Sequence, residues 1–323
     1  MYHQISRNKR NSIIVITGFL LVWLLAGFVI GEFAGGLSYA ITGAIILGVL
    51  GVLAALYSYY LGSATVLSAV GAHEADPHQF QQLYNIVQTL AIGDGLPVPK
   101  VYIIEDPSPN AFATGRDPAH SVICVTQGLV DQMDREEIQG VIGHEMSHVA
   151  DYDIRTMMMI AVMVGGIAML SDFVYRWMFF GGFGGRRSSN NDRDNQSAML
   201  ITLAVIILAA VAPLFSQLLA MAVSRQREYL ADASSVEFTR NPRALLRALE
   251  HIAKIESPLK QGTAGTAHLF IVNPREGLRD DNDGFFANLF STHPPLSKRI
   301  ARLQALLGNA SAKTIGGAVA ADS

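Results

Sequence analysis

Charge is what this sequence has least of. Only 16% of its 323 residues are Asp, Glu, Lys or Arg, where a soluble globular chain carries about a quarter. The shortfall is uneven: no charged residue lies between Arg10 and Glu32, from Phe33 to Ala72, or between Asp194 and Arg225. Uncharged apolar stretches of 18 or more residues are read as membrane spans, because a hydrocarbon core about 30 Å thick takes about 20 helical residues. These gaps exclude an ordinary soluble enzyme. The 50% hydrophobic content excludes disorder, and the charge crowded into the remainder excludes a pure membrane bundle. Cysteine is almost missing. Cys124 stands alone, which rules out an internal disulfide and agrees with a reducing compartment. A surplus of positive charge is absent too: a net charge of −3 and an isoelectric point of about 6.3 give no sign of nucleic acid as a partner.

The apolar runs place spans at residues 13–31 and 37–61, joined by a short link holding Glu32, Gly35 and Gly36, and the second run goes on to Ala72 as a stalk. Residues 198–223 form a further span despite Pro213, since a neighbouring helix can satisfy the freed carbonyl. Residues 157–170 are weaker. Asp172 and Arg176 interrupt them, each costing about 2.5–3.5 kcal/mol at a bilayer centre. This segment either spans, with Arg176 and Trp177 at the interface, or lies buried against protein. Arg7, Lys9 and Arg10 precede the first span, and the link after it has no Lys or Arg, so positive-inside bias puts the N-terminus in the cytoplasm. A cleavable signal peptide fits poorly, because the run is too long and a second span follows directly. Arg186, Arg187 and Arg193 in the Gly-rich loop 181–197 count against a simple four-span arrangement.

The soluble parts read as α with a small sheet. Asp76-Pro77 starts a helix to Ala91 that stops at Gly93-Asp94-Gly95. Residues 98–105 and 121–126 read as strands, with a shorter one at 111–114. Asp134 with Glu137 forms a capping box, opening a helix whose Ile138, Val141, Ile142, Met146 and Val149 share one face. Helices also follow at 225–236, after Asn241-Pro242, and at 295–307, before a small, polar tail that reads as disordered. The expected division is a membrane anchor at 1–72, the first catalytic part at 73–155, hydrophobic segments at 156–223, a second catalytic part at 224–307 and the tail at 308–323.

The capped helix carries His144-Glu145-Met146-Ser147-His148. Positions four apart differ by about 40° on a helix, so both imidazoles face one way and can meet one metal ion. Glu145 lies about 100° round the axis, placed for a water rather than for the metal. This is the zinc-hydrolase arrangement of two nitrogen ligands, a carboxylate base and an open position. Zinc needs a third protein ligand, and Glu228 directly follows the last span, four residues before Asp232. Glu228 can coordinate while Asp232 accepts a hydrogen bond from a ligating imidazole. The plainer alternative pairs Glu228 with Arg225 or Arg227 on a solvated face. His293, ahead of Pro294-Pro295, is a candidate oxyanion donor or inhibitory fourth ligand, against an ordinary turn histidine. Val122, Ile123, Cys124, Val125 and Thr126 are the expected edge strand on which an extended substrate adds, against an ordinary core strand. The acidic run 280–284 is a solvated loop, since no final Glu follows at calcium-loop spacing.

Together with Pro109-Asn-Ala-Phe-Ala-Thr-Gly115, Arg225-Gln-Arg-Glu-Tyr-Leu-Ala-Asp232, Thr292-His-Pro-Pro295 and Arg299-Ile300, the zinc helix resembles the HtpX-type membrane zinc metalloproteases, a family shared with the CAAX prenyl endopeptidases. The resemblance implies a mainly α membrane protein with an α+β zincin-like (gluzincin) catalytic domain carrying a small β-sheet. It implies one Zn2+ per chain held by His144, His148 and Glu228, with Glu145 as the base. The implied substrates are misfolded or damaged membrane proteins and unfolded polypeptides, cut at cytoplasmic loops of a bacterial inner membrane under stress. Other membrane quality-control proteases are the expected partners. The competing functions are a non-cleaving zinc-bound scaffold, which has no need of Glu145, a prenyl-protein endopeptidase, which needs more spans, and a metal transporter, whose ligands belong inside the spans.

Overall fold

The computed structural model describes residues 2–163, 225–255, 269–272 and 294–319. Two long helices begin the chain, α1 (Tyr2–Gly35) and α2 (Leu37–Ala69). The turn between them is Gly36 alone, at φ 80, so Glu32 and Gly35 lie within α1 rather than in a link. The pair is an antiparallel hairpin packed through small residues. A Cβ added at Gly27 would stand 2.2 Å from the Gly43 carbonyl oxygen, and only glycine allows that approach. Outward lie Ile13, Leu21, Leu25, Ile45, Ile46 and Leu53, all exposed. Such a surface suits lipid and not water. Among the described residues these two helices are long and apolar enough to cross a membrane.

The lower end of α2 continues into the second part of the fold, as its uncharged run anticipates. Val66, Leu67 and Val70 pack on a four-stranded sheet against Ile104, Phe112, Val122 and Cys124. The strands are β1 (His73–Glu74), β2 (Lys100–Ile104), β3 (Ala111–Gly115) and β4 (Ser121–Thr126). Their order is β1-β2-β4-β3, with β2 and β4 parallel and the outer pairs antiparallel. The expected edge strand Val122–Thr126 is therefore not an edge. β4 hydrogen-bonds β2 on one side and β3 on the other. All six of its residues are buried, as a run without polar alternation requires of a strand covered on both faces. The outer strand on that side is β3, and its first carbonyl, Ala111, already accepts from the Ile271 amide at 2.8 Å.

The opposite sheet face, with Val101, Ile103, Ile123 and Val125, packs on α3 (Gln81–Gly93) and α5 (Arg135–Ala150), which α4 (Gln127–Gln132) precedes. Helix α3 starts four residues later than Asp76-Pro77 implies. Asp76 caps a turn, its Oδ1 accepting from the His78 amide at 2.9 Å, and the regular helix begins only at Gln81. The box on α5 forms as read: Asp134 Oδ1 accepts from the Glu137 amide at 2.9 Å, and Glu137 Oε2 from the Asp134 amide at 3.0 Å. Residues 153–163 are helical (α6). Met158, Met159 and Met163 bury against Val15, Phe19 and Ala55 of the hairpin, so this stretch of the third hydrophobic segment is covered by protein. Its continuation, the fourth segment and loop 181–197 lie outside the described residues.

The last elements are α7 (Arg225–Thr239), α8 (Ala244–Ile252) and α9 (Leu296–Val319). The expected disordered tail is corrected here, since α9 runs on to Val319. Extending a formed helix costs far less than nucleating one, and its first turns are already anchored by Leu303 in the core. Helix α5 is clasped between α7 and α8. A Cβ at Gly140 would meet the Leu245 amide nitrogen at 2.3 Å, and Ser235 Oγ donates to the Gly140 carbonyl at 2.9 Å. Gly140→Ala is expected to force the helices apart and destabilise the protein by about 1–3 kcal/mol. A lowered thermal midpoint in detergent checks it, and an unchanged midpoint would show that α5 and α8 are not in close contact.

Candidate metal centre

Helix α5 presents His144 and His148 four residues apart, and α7 crosses it carrying Glu228 and Asp232 at the same spacing. The Nε2 atoms of the two histidines lie 3.3 Å apart. Glu228 Oε2 is 3.7 Å from Nε2 of His144, and Oε1 is 3.8 Å from Nε2 of His148. All three side chains are buried. Their donor atoms lie within 4.8 Å of one another. A tetrahedral ion with ligands at about 2.0–2.1 Å separates neighbouring ligand atoms by about 3.3 Å, so this donor set fits zinc in both chemistry and spacing. Glu228 is buried rather than on a solvated face.

Each ring is held from behind. His144 Nδ1 stands 3.0 Å from Asp232 Oδ1, and Asp232 receives two hydrogen bonds from Arg299, Nε to Oδ2 at 3.0 Å and a terminal nitrogen to Oδ1 at 2.6 Å. His148 Nδ1 stands 3.2 Å from Asp153 Oδ2, and Asp153 accepts from Arg227 at 2.8 Å. The centre thus has two matching chains of histidine, aspartate and arginine. A carboxylate on Nδ1 fixes the tautomer that turns the Nε2 lone pair to the metal. Asp153 and its partner role for Arg227 are absent from the sequence reading. The available signal is a carboxylate just past the turn that ends the helix, five residues from His148. Arg299 enters that reading only as part of a motif, and here it is a fully buried guanidinium that also donates to the Ile271 carbonyl at 2.7 Å.

The electrostatics suit a divalent cation. Four buried carboxyl groups, Glu145, Asp153, Glu228 and Asp232, outnumber the two guanidiniums of Arg227 and Arg299. Burial pulls His144 down to about 4, helped by the charges of Arg299 and His148 and opposed by the Asp232 hydrogen bond. On His148 burial acts the same way, but the Asp153 hydrogen bond and the charges of Glu228, Asp153 and Glu145 overcome it and raise the ring to about 9. Burial raises Asp232, and Arg299 with His144 more than reverses this, holding it at about 2. A proton and a metal compete for the same nitrogen, so metal uptake releases a proton. Glu145 is buried on the same helix, close enough for its charge to act on His148, Arg299 and Cys124. Cys124 is buried in β4 with its thiol pushed well up by burial, and it stands outside the donor cluster. His293 lies outside the described residues. Asp153→Asn is expected to weaken metal binding by about 10–100-fold, read as a chelator competition. Unchanged retention would remove Asp153 from the centre.

Residues 77–307 match Peptidase family M48. The chain belongs to that family. Over 308 residues it is 42% identical to a protein from Limosilactobacillus reuteri named Protease HtpX homolog, covering 94% of this chain and 99% of that one. Over 306 residues it is 40% identical to the Protease HtpX homolog of Caldanaerobacter subterraneus, covering 95% of this chain and 98% of the relative. The fold is similar to that in the crystal structure of S. mikatae Ste24p, which is 18% identical with a TM-score of 0.50, covering 94% of this chain and 66% of that one. The M48 chain described here is therefore a membrane metalloprotease that hydrolyses peptide bonds, and the scaffold, transporter and prenyl-endopeptidase alternatives are not favoured.

Proposed function

We propose that this M48 protease is a zinc endopeptidase of multi-pass topology, with a zincin-like catalytic domain on the cytoplasmic face of a bacterial inner membrane, and that it cuts misfolded or damaged membrane proteins. The observation that carries the metal assignment is the buried cluster of His144, His148 and Glu228 with its 3.3 Å nitrogen separation. Zinc held there would lower the pKa of water towards about 7 and polarise the scissile carbonyl. In this reading Glu145 takes the proton of the attacking water and returns it to the leaving amine. Asp232 and Asp153 hold the two imidazoles in register through the reaction, and Arg299 keeps Asp232 ionised.

The cytoplasmic orientation is supported by Arg7, Lys9 and Arg10 at the head of α1. The α1–α2 hairpin returns the chain to the side from which it came, where Val66, Leu67 and Val70 meet the sheet. The centre then lies close beneath the bilayer, where loops of damaged membrane proteins emerge. The test is cleavage by the full-length protein in vesicles with zinc, using one membrane substrate in a folded and in a destabilised variant. Faster cutting of the destabilised variant within its cytoplasmic loops is expected. Equal cutting of both, or cuts confined to the opposite face, would contradict the proposed role.

A further inference from the structure

At the foot of α1 lies a cleft of about 650 Å³ whose walls include Lys9, Asp117, His120, Tyr152 and Arg155. Nothing in the catalytic scheme uses it. Its level along the hairpin is fixed by polar contacts just below the apolar zone. Asn8 Nδ2 donates to the Asp151 carbonyl at 2.9 Å, and the hydroxyls of Ser12 and Thr156 share a hydrogen bond at 2.7 Å. Immediately above begins the apolar cluster of Val15, Phe19, Met158 and Met159. Lys9, Arg155 and the Tyr152 ring line the cleft, and further cation–ring pairs lie beyond its walls. Lys9 Nζ stands 4.5 Å from the Tyr152 ring centre, and the Arg155 guanidinium stands 5.4 Å from Tyr152 and 5.7 Å from Tyr59. Arg116 stands 5.6 Å from the Tyr60 ring. Tyrosines of this kind mark the headgroup level of a bilayer. The carboxylate in the wall, Asp117, is engaged by His120 at 2.7 Å and by Arg116 at 3.7 Å. Among the residues that line the cleft, the cations Lys9 and Arg155 outnumber this one carboxylate.

We infer that this cleft binds the phosphate of an anionic phospholipid headgroup from the leaflet on the N-terminal side. The inference rests on the reading that α1 and α2 cross the bilayer. A cationic recess between spanning and soluble elements at headgroup level is what an anionic lipid recognises. A free phosphate ion would share the chemistry but would lack the acyl chains that the exposed apolar flanks of α1 and α2 accept. The site also bears on the metal centre. Its wall at Ala150 and Tyr152 ends α5, with Tyr152 held at φ 63, and the next residue, Asp153, is the one that holds His148. A bound headgroup would steady that turn.

The experiment uses the full-length protein in vesicles of phosphatidylcholine, with or without phosphatidylglycerol, and native mass spectrometry of the lipid it retains. Phosphatidylglycerol is expected to be retained over phosphatidylcholine. Lys9→Gln should cut that preference about fivefold and Arg155→Gln further, with the distant Lys254→Gln unchanged. Lys9 is exposed, so its variant keeps the test valid if Arg155→Gln does not fold. Equal retention of both lipids, or the same loss in Lys254→Gln, would overturn the inference. So would inorganic phosphate raising the thermal midpoint in phosphatidylcholine with no preference for the anionic lipid. Vesicle flotation separates the two premises: a protein that stays with both vesicle types but shows no lipid preference sinks only the cleft, whereas one that leaves both sinks the spans as well.

Discussion

Glu145→Gln is expected to lower the cleavage rate by about 10²–10⁴-fold while leaving the metal content at the wild-type level. The substitution keeps the shape of a side chain buried in α5, so packing and the position of His144 and His148 are preserved. What it removes is the proton acceptor, and with it one of the buried negative charges. The donor cluster consists of His144, His148 and Glu228, none of which is altered. Metal analysis beside a peptide-cleavage assay reads both halves of the prediction. A fully active Gln variant would show that another group takes the proton, and a variant without metal would show that Glu145 belongs to the ligand set.

Glu228→Ala is expected to have the opposite signature, losing the metal and with it the activity. The carboxylate is the one anionic member of the donor cluster and the only one supplied by α7. Its loss leaves two imidazoles, whose Nε2 atoms are 3.3 Å apart, without the counter-charge that favours a dication there. Removal of a direct ligand should weaken binding by more than the roughly 10–100-fold seen for outer partners. Dialysis against a weak chelator followed by metal analysis gives the answer. Zinc retained at one ion per chain would remove Glu228 from the ligand list, and Glu228→Gln distinguishes loss of charge from loss of packing.

The difference between these variants mirrors what could be read from the chain. Spacing along one helix is local information, so the shared face of His144 and His148, the box at Asp134 and Glu137, and the pairing of Glu228 with Asp232 were legible before any fold was known. Strand order is not local. Residues 121–126 read well as a strand, but nothing within them names their neighbours, and their unbroken apolar run was a better sign of a central strand than of an edge. The second histidine partner was missed for a related reason: Asp153 follows a turn in which Tyr152 takes a positive φ, and periodicity ends where the helix does. Arg299 is separated from His144 by 155 positions, and only the tertiary fold brings α9 over Asp232. The tail after Gly308 was misread because composition speaks to nucleation and says little about a helix already started by Leu296.

The central claim is that α5 and α7 together build one nitrogen- and oxygen-ligated zinc centre on a membrane-anchored protease. X-ray absorption at the zinc edge of the purified full-length protein tests it most directly. One zinc per chain is expected, with two imidazole nitrogens and only oxygen besides, at about 2.0–2.2 Å, and with the imidazole count reduced to one, or the zinc lost altogether, in His144→Ala. A sulfur ligand at about 2.3 Å, which would bring Cys124 to the metal, or a count of two imidazoles that persists in His144→Ala, would contradict the account.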